Sequence, residues 1–317
     1  MTKNKIVFDR KTDIIQVVAP SSKRPDFYEA IEKFTLLCRE YGINSSVSEG
    51  LFSDDCLPFL SNSLEYRYND FLDALKNDDI KIIWSIRGGY GSSEIANLLK
   101  DYKINSPKIL IGFSDITSLH LLFNNYFFLP SIHGAMIFDI LKDSKVENLK
   151  KIFNLFKSNK IEYKLKRINI IAKTIESNIE ESDSHINTTI ESYITGGNLT
   201  VLCSNIGGLL KAEHFEDKIL FLEDVGEISY KVQRCLIQLY HGGFLSKIKA
   251  IIFCEFVGSD ENLERTLQSF ISKYCNTIPA FELNIIGHGE INQPLILGSP
   301  CKIINDILTI EIPFEMA

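Results

Sequence analysis

The stretch Ile109-Leu110-Ile111-Gly112-Phe113-Ser114-Asp115-Ile116-Thr117 runs from an uncharged apolar block into Gly, Ser and Asp. Residues 109–113 read as a strand buried on both faces, because the apolar run does not alternate with polar residues. Ser114 and Asp115 then suit the start of a helix near position 115. The same order recurs upstream. Residues 14–19 form a β-branched run stopped by Pro20-Ser21-Ser22, and residues 82–86 form a strand ending at Arg87-Gly88-Gly89-Tyr90-Gly91. Between them, Phe27, Ile31, Phe34, Leu37 and Tyr41 recur at helical spacing, with Gly42 placed as the C-cap. A further helix is expected over residues 64–75. Buried strands separated by helices specify an α/β fold with a parallel sheet covered on both faces.

Beyond about Asn159 the composition changes. Residues 159–187 are rich in Lys, Glu, Ser and Asn without a clear period, and are expected to form a locally paired linker. Strands are expected at 219–222 and 250–256, helices at 230–240 and 263–274, and short alternating strands at 303–312. That pattern implies a smaller α+β C-terminal domain. The expected division is a parallel-sheet domain over 1–155, a linker over 156–190 and the second domain over 191–317.

The chain has 317 residues, of which 45% are hydrophobic and 24% charged, the balance of a folded globular protein. A formal charge of −7 disfavours nucleic acid as a partner. The first twenty residues lack an apolar core followed by a small-residue cleavage site, and no apolar run reaches membrane-spanning length. Seven cysteines without a CxxC pair fit a reducing compartment better than a disulfide framework or a zinc site. A cytoplasmic protein with no metal and no cofactor is the expectation.

Four segments are candidates for chemistry, and each has a plainer structural role. Ser114 stands where open α/β sheets place their sites, yet a serine there also serves as a helix cap. Arg87-Gly88-Gly89-Tyr90-Gly91 either turns N–H groups towards an anion or makes a tight turn. It lacks the GxGxxG spacing of a dinucleotide site. Among six histidines, His288 is singled out by its flanking glycines Gly287 and Gly289, although a loop histidine can be a surface group. His120 reads as a packed helix residue and His133 as a group lining the site, while His185, His214 and His241 carry no signal. Glu223, Asp224 and Glu227 follow a strand, where an acid either orients a histidine or is solvated.

Taken in order, Val18-Ala19-Pro20-Ser21-Ser22, Arg87-Gly88-Gly89-Tyr90-Gly91, Gly112-Phe113-Ser114-Asp115, His133-Gly134, Gly196-Gly197-Asn198-Leu199, Leu222-Glu223-Asp224-Val225-Gly226-Glu227 and Gly287-His288 resemble the LD-carboxypeptidase family of serine peptidases. That family includes muropeptide LD-carboxypeptidases and microcin C self-immunity peptidases. The resemblance implies a flavodoxin-like N-terminal domain joined to an α+β C-terminal domain. It also implies a Ser114 nucleophile, a Glu223 orienting acid and a His288 base, with an oxyanion hole from the backbone N–H groups of Gly89 and Asp115. Arg87 and Tyr90 are the accompanying candidates for binding substrate. The implied substrate is a murein tetrapeptide or muropeptide that loses terminal D-Ala, and the implied assembly is a homodimer. Two rival readings stand beside it: a microcin-type peptidyl-nucleotide hydrolase, and a non-catalytic sensor of murein peptides.

Overall fold

The computed structural model describes residues 5–169 and 189–317, so His185 and most of the expected linker lie outside the described residues. Within residues 5–169, five parallel strands lie in the spatial order Asn44–Val47, Ile14–Val18, Ile80–Ser85, Ile109–Gly112 and Ser131–His133. In chain order that is 2-1-3-4-5, the flavodoxin-like arrangement. Side chains alternate between two layers along each strand. Ile82 and Trp84 pack with Phe34 and Phe153 on one face, while Ile83 and Leu110 pack with Phe71 and Leu119 on the other. Phe34 comes from the helix Phe27–Glu40 and Phe71 from the helix Leu64–Lys76, the two helices whose periods the sequence shows. Gly42 has φ +70°, as its C-capping position requires.

A second sheet of eight strands has a parallel centre, Ile190–Asn198, Ile219–Val225, Ala250–Val257 and Ala280–Glu282. The helices Ser229–His241 and Leu263–Tyr274 cover one face of it. The two sheets are therefore the α/β and α+β units expected, but the chain crosses between them. Leu295–Leu297 leaves the second half and pairs antiparallel with Ser131–His133 in the first sheet. Ile6–Phe8 pairs with Phe314–Met316, tying the two ends of the chain together.

Part of the segment expected to be a locally paired linker is sheet instead. Lys160–Lys164 pairs with Ile307–Glu311, and Lys166–Arg167 pairs with Phe281 and Glu282. The physical reason is a short alternation within a lysine-rich stretch. Tyr163 and Leu165 are buried while Lys164 and Lys166 are exposed, which is the pattern of a half-buried edge strand. Lysines on such an edge also discourage pairing with a foreign strand.

Candidate active site

The first and third strands of the first sheet carry their crossover connections to opposite sides, which opens a crevice at their carboxyl ends. Pro20-Ser21-Ser22 and Arg87-Gly88-Gly89 leave the sheet at that point, and Ser114 leaves the adjacent strand. Ser114 has φ +64°, a left-handed conformation that an L-residue adopts only under constraint. A Cβ added at Gly112 would lie 2.9 Å from Ile116 Cγ1, so only glycine lets the turn fold this tightly onto its strand. A short 3-10 turn, Ser114–Ile116, then feeds the helix Thr117–Asn125.

Three loops converge on that turn. A Cβ on Gly88 would sit 2.9 Å from Ser114 Cβ and 3.2 Å from the Asp115 nitrogen, so the Gly88 backbone rests directly on the serine turn. Gly89 has φ +119° and packs more closely still on Ser22. Ser22 Oγ accepts the Tyr90 N–H at 3.1 Å. The Asp115 carboxylate accepts the Ser21 hydroxyl at 2.6 Å and the Ser92 N–H at 2.9 Å. Ser92 Oγ donates back to the Asp115 carbonyl at 2.5 Å. Asp115 is thus a buried clamp between two loops, a role that its place after Ser114 did not reveal.

Glu223 and His288 come from the second sheet and a following loop. Glu223 is fully buried, and its Oε2 lies 2.7 Å from His288 Nδ1. With an ionised carboxylate as acceptor, Nδ1 must carry the proton, which leaves Nε2 free to act as a base. Burial by itself pushes the Glu223 carboxyl up, but the charge and hydrogen bond of His288 outweigh it and hold it at about 2. His133 Nε2 is 3.7 Å from Glu223 Oε1, beyond hydrogen-bond length, so we ascribe the lowering chiefly to His288. Burial in turn pushes His288 down, but Glu223 outweighs that and raises it above its ordinary 6.5.

The two halves meet here. The Phe113 ring lies 4.7 Å from the His288 ring, and Asn198 N–H donates to Thr117 Oγ1 at 3.0 Å. Gly197 leaves no room for a side chain against Thr117. The Ser114 hydroxyl is not hydrogen-bonded to His288 in this state; such contacts commonly tighten when substrate arrives. The histidine loop is held from several sides. Gly289 N–H donates to Glu255 Oε2 at 3.0 Å, Gly287 N–H to Asn292 Oδ1 at 3.2 Å, and Lys145 Nζ reaches the His288 carbonyl at 3.4 Å. Glu255 and Lys145 escaped the sequence reading because nothing local marks them: one lies within a strand and the other within a helix.

The neighbouring acids are otherwise engaged. Asp224 points to the opposite face from Glu223, accepting from Asn198 Nδ2, Thr200 N and Oγ1, and Val225 N. Glu227 pairs with Lys231 at 3.3 Å beside the helix Ser229–His241. His120 is a packed residue as expected. Burial together with the nearby His133 pushes it down to about 3, and its ring nitrogens contact Ser131 Oγ and the Gly112 carbonyl, each at 2.9 Å. Arg87 donates to the Lys23 carbonyl at 2.9 Å, and Tyr90 is exposed with the Phe59 ring 5.6 Å away.

A flavodoxin-order sheet with a positive-φ serine at a strand end, joined to an α+β unit that supplies a buried acid–histidine pair, makes a mixed α/β protein of two domains. The chain belongs to the LD-carboxypeptidase family: residues 15–134 match the family's N-terminal domain and residues 191–303 its C-terminal domain. It is 37% identical over 265 residues to a provisionally named carboxypeptidase of Rickettsia conorii, covering 83% of this chain and 80% of the relative. It is 28% identical over 243 residues to the murein tetrapeptide carboxypeptidase of Pseudomonas aeruginosa, covering 74% and 76%. Among solved structures, an MccF-like protein from Streptococcus pneumoniae in complex with AMP shares the fold with a TM-score of 0.74 at 19% identity, covering 95% of this chain and 99% of that one.

Proposed function

We propose that this protein is a serine-type LD-carboxypeptidase that removes terminal D-Ala from murein tetrapeptides. The observation that carries the reading is the buried Glu223–His288 pair at 2.7 Å, set against the Phe113-Ser114 turn. In the proposed reaction, His288 Nε2 takes the proton of Ser114 as Oγ attacks the carbonyl preceding D-Ala. Glu223 holds Nδ1–H and stabilises the imidazolium that forms. The backbone N–H groups of Gly89 and Asp115 receive the oxyanion, on loops that the Asp115 carboxylate and Ser22 hold together. His288 then returns the proton to the leaving D-Ala amine, and water, activated by the same base, releases the acyl group. The name of the Pseudomonas aeruginosa relative supports the murein substrate.

Incubation with a purified murein tetrapeptide, followed by mass spectrometry, is expected to show free D-Ala and the matching tripeptide. Absence of D-Ala release, with cleavage of a peptidyl-nucleotide offered in parallel, would move the assignment to the microcin-type reaction.

A further inference from the structure

We propose that Arg24 and Arg87 form the subsite that binds the substrate's terminal carboxylate; this rests on the carboxypeptidase reading above and names the residues that make it an exopeptidase site. Arg87 precedes Gly88, whose backbone lies against Ser114. Its guanidinium is half-buried and makes one hydrogen bond, from Nη1 to the Lys23 carbonyl at 2.9 Å. The remaining N–H donors have no carboxylate partner among the described residues. Burial and the like charge of Arg24 both weigh against its charged form, and no acid offsets them. Arg24 itself is exposed and lies over the Phe138 ring, 4.9 Å from its centroid.

Phe138 locates the pair within the site. Its N–H donates to the Ile86 carbonyl at 2.9 Å, immediately before Arg87. The next residue, Asp139, is near enough to His288 to influence its charge. The two arginines therefore lie on the wall that runs from the Gly88–Gly89 backbone to the histidine. Asp139 does not neutralise them, because its carboxylate is already occupied by the Met136 N–H at 3.0 Å and lies 3.9 Å from Lys145. Two guanidinium groups without a carboxylate partner among the described residues, on segments that adjoin the serine turn through Gly88, are suited to a planar carboxylate, which accepts hydrogen bonds from both. Of the other nearby cations, Lys23 is taken by Asp54 at 2.6 Å, and Lys145 lies 3.4 Å from the His288 carbonyl and 3.9 Å from Asp139.

The test compares a murein tetrapeptide ending in free D-Ala with the same peptide ending in D-alaninamide. Wild-type enzyme is expected to prefer the acid, by kcat/KM. Arg24→Gln and Arg87→Gln are each expected to lower that preference about 10–100-fold, the value of a charge-assisted hydrogen bond. Arg24→Gln is the cleaner variant, because Arg24 is exposed and makes no hydrogen bond among the described residues. A purely structural role would depress both substrates together and leave the ratio unchanged; that result in either variant overturns the pair. A second arm needs no turnover: binding of N-acetyl-D-alanine against its amide, followed by NMR on the full chain. Selective binding of the acid by wild type, lost in both variants, supports the subsite even if the tetrapeptide is not cleaved. Equal binding of acid and amide by wild type overturns the subsite even if D-Ala is released.

Discussion

Replacing Glu223 by Gln keeps the size of the side chain and removes the charge that faces His288. The consequence is worked from two opposite displacements. In the folded protein the Glu223 carboxyl lies at about 2 against an ordinary 4.5, a difference equivalent to about 3 kcal/mol. A depressed carboxyl contributes stability that is present above its unfolded value and is lost as pH falls through the folded value. His288 is raised, so its contribution is complete below its unfolded value of 6.5 and is lost as pH rises through the folded one. The pair therefore stabilises most between about pH 4.5 and pH 6.5. Urea unfolding of wild type and Glu223→Gln at a series of pH values reads the carboxylate together with its coupling to His288, since titrations elsewhere in the chain cancel in the difference. The wild-type advantage is expected to shrink by about 3 kcal/mol from pH 6 to pH 2. Activity supplies the second readout. D-Ala release should fall about 10²–10⁴-fold in kcat with little change in KM. The acid limb of kcat/KM should move to lower pH, because the imidazolium has lost the group that raised it. A stability difference independent of pH, or an acid limb that stays in place, would refute the coupling of Glu223 to His288.

Ser114→Ala is expected to lower kcat about 10⁴–10⁶-fold while the circular dichroism stays native; near-normal turnover by a folded variant would remove the nucleophile assignment. Asp115→Ala strips the acceptor from the Ser21 hydroxyl and the buried Ser92 N–H, so it should cost about 1–3 kcal/mol in urea unfolding and reduce kcat more than it changes KM. Wild-type stability in that variant would show that the clamp is idle. D-Ala release is expected to survive EDTA, because the Ser–His–Glu reaction uses no metal ion; loss of activity restored by added zinc would contradict the proposed chemistry.

The sequence by itself determined the strands that lead into Ser22, Arg87 and Ser114 and several of the helices around them, but not the strands Asn44–Val47, Ser131–His133 or Leu295–Leu297. Buried strands such as Ile109–Gly112 are continuous apolar runs, and helices such as Leu263–Tyr274 repeat with their own period, so both are written locally. It also ordered the segments that resemble the family, and with them the residues Ser114, Glu223 and His288. Tertiary structure alone decided how these segments meet. The Gly88 backbone rests on the turn in which Ser114 holds its positive φ, and that contact, unlike the one between Gly112 and Ile116, is not local in the chain. Lys160–Lys164 becomes an edge strand only because Ile307–Glu311 lies beside it, and Leu295–Leu297 enters the first sheet only because Ser131–His133 offers an open edge. Glu223 approaches His288 across 65 residues of chain, and Arg24 reaches the ring of Phe138 across a still longer separation. A local pattern records a residue's own period and burial; it does not record its partner. Pairing depends on the packing of whole layers, and that is where the charges of this site acquire their direction.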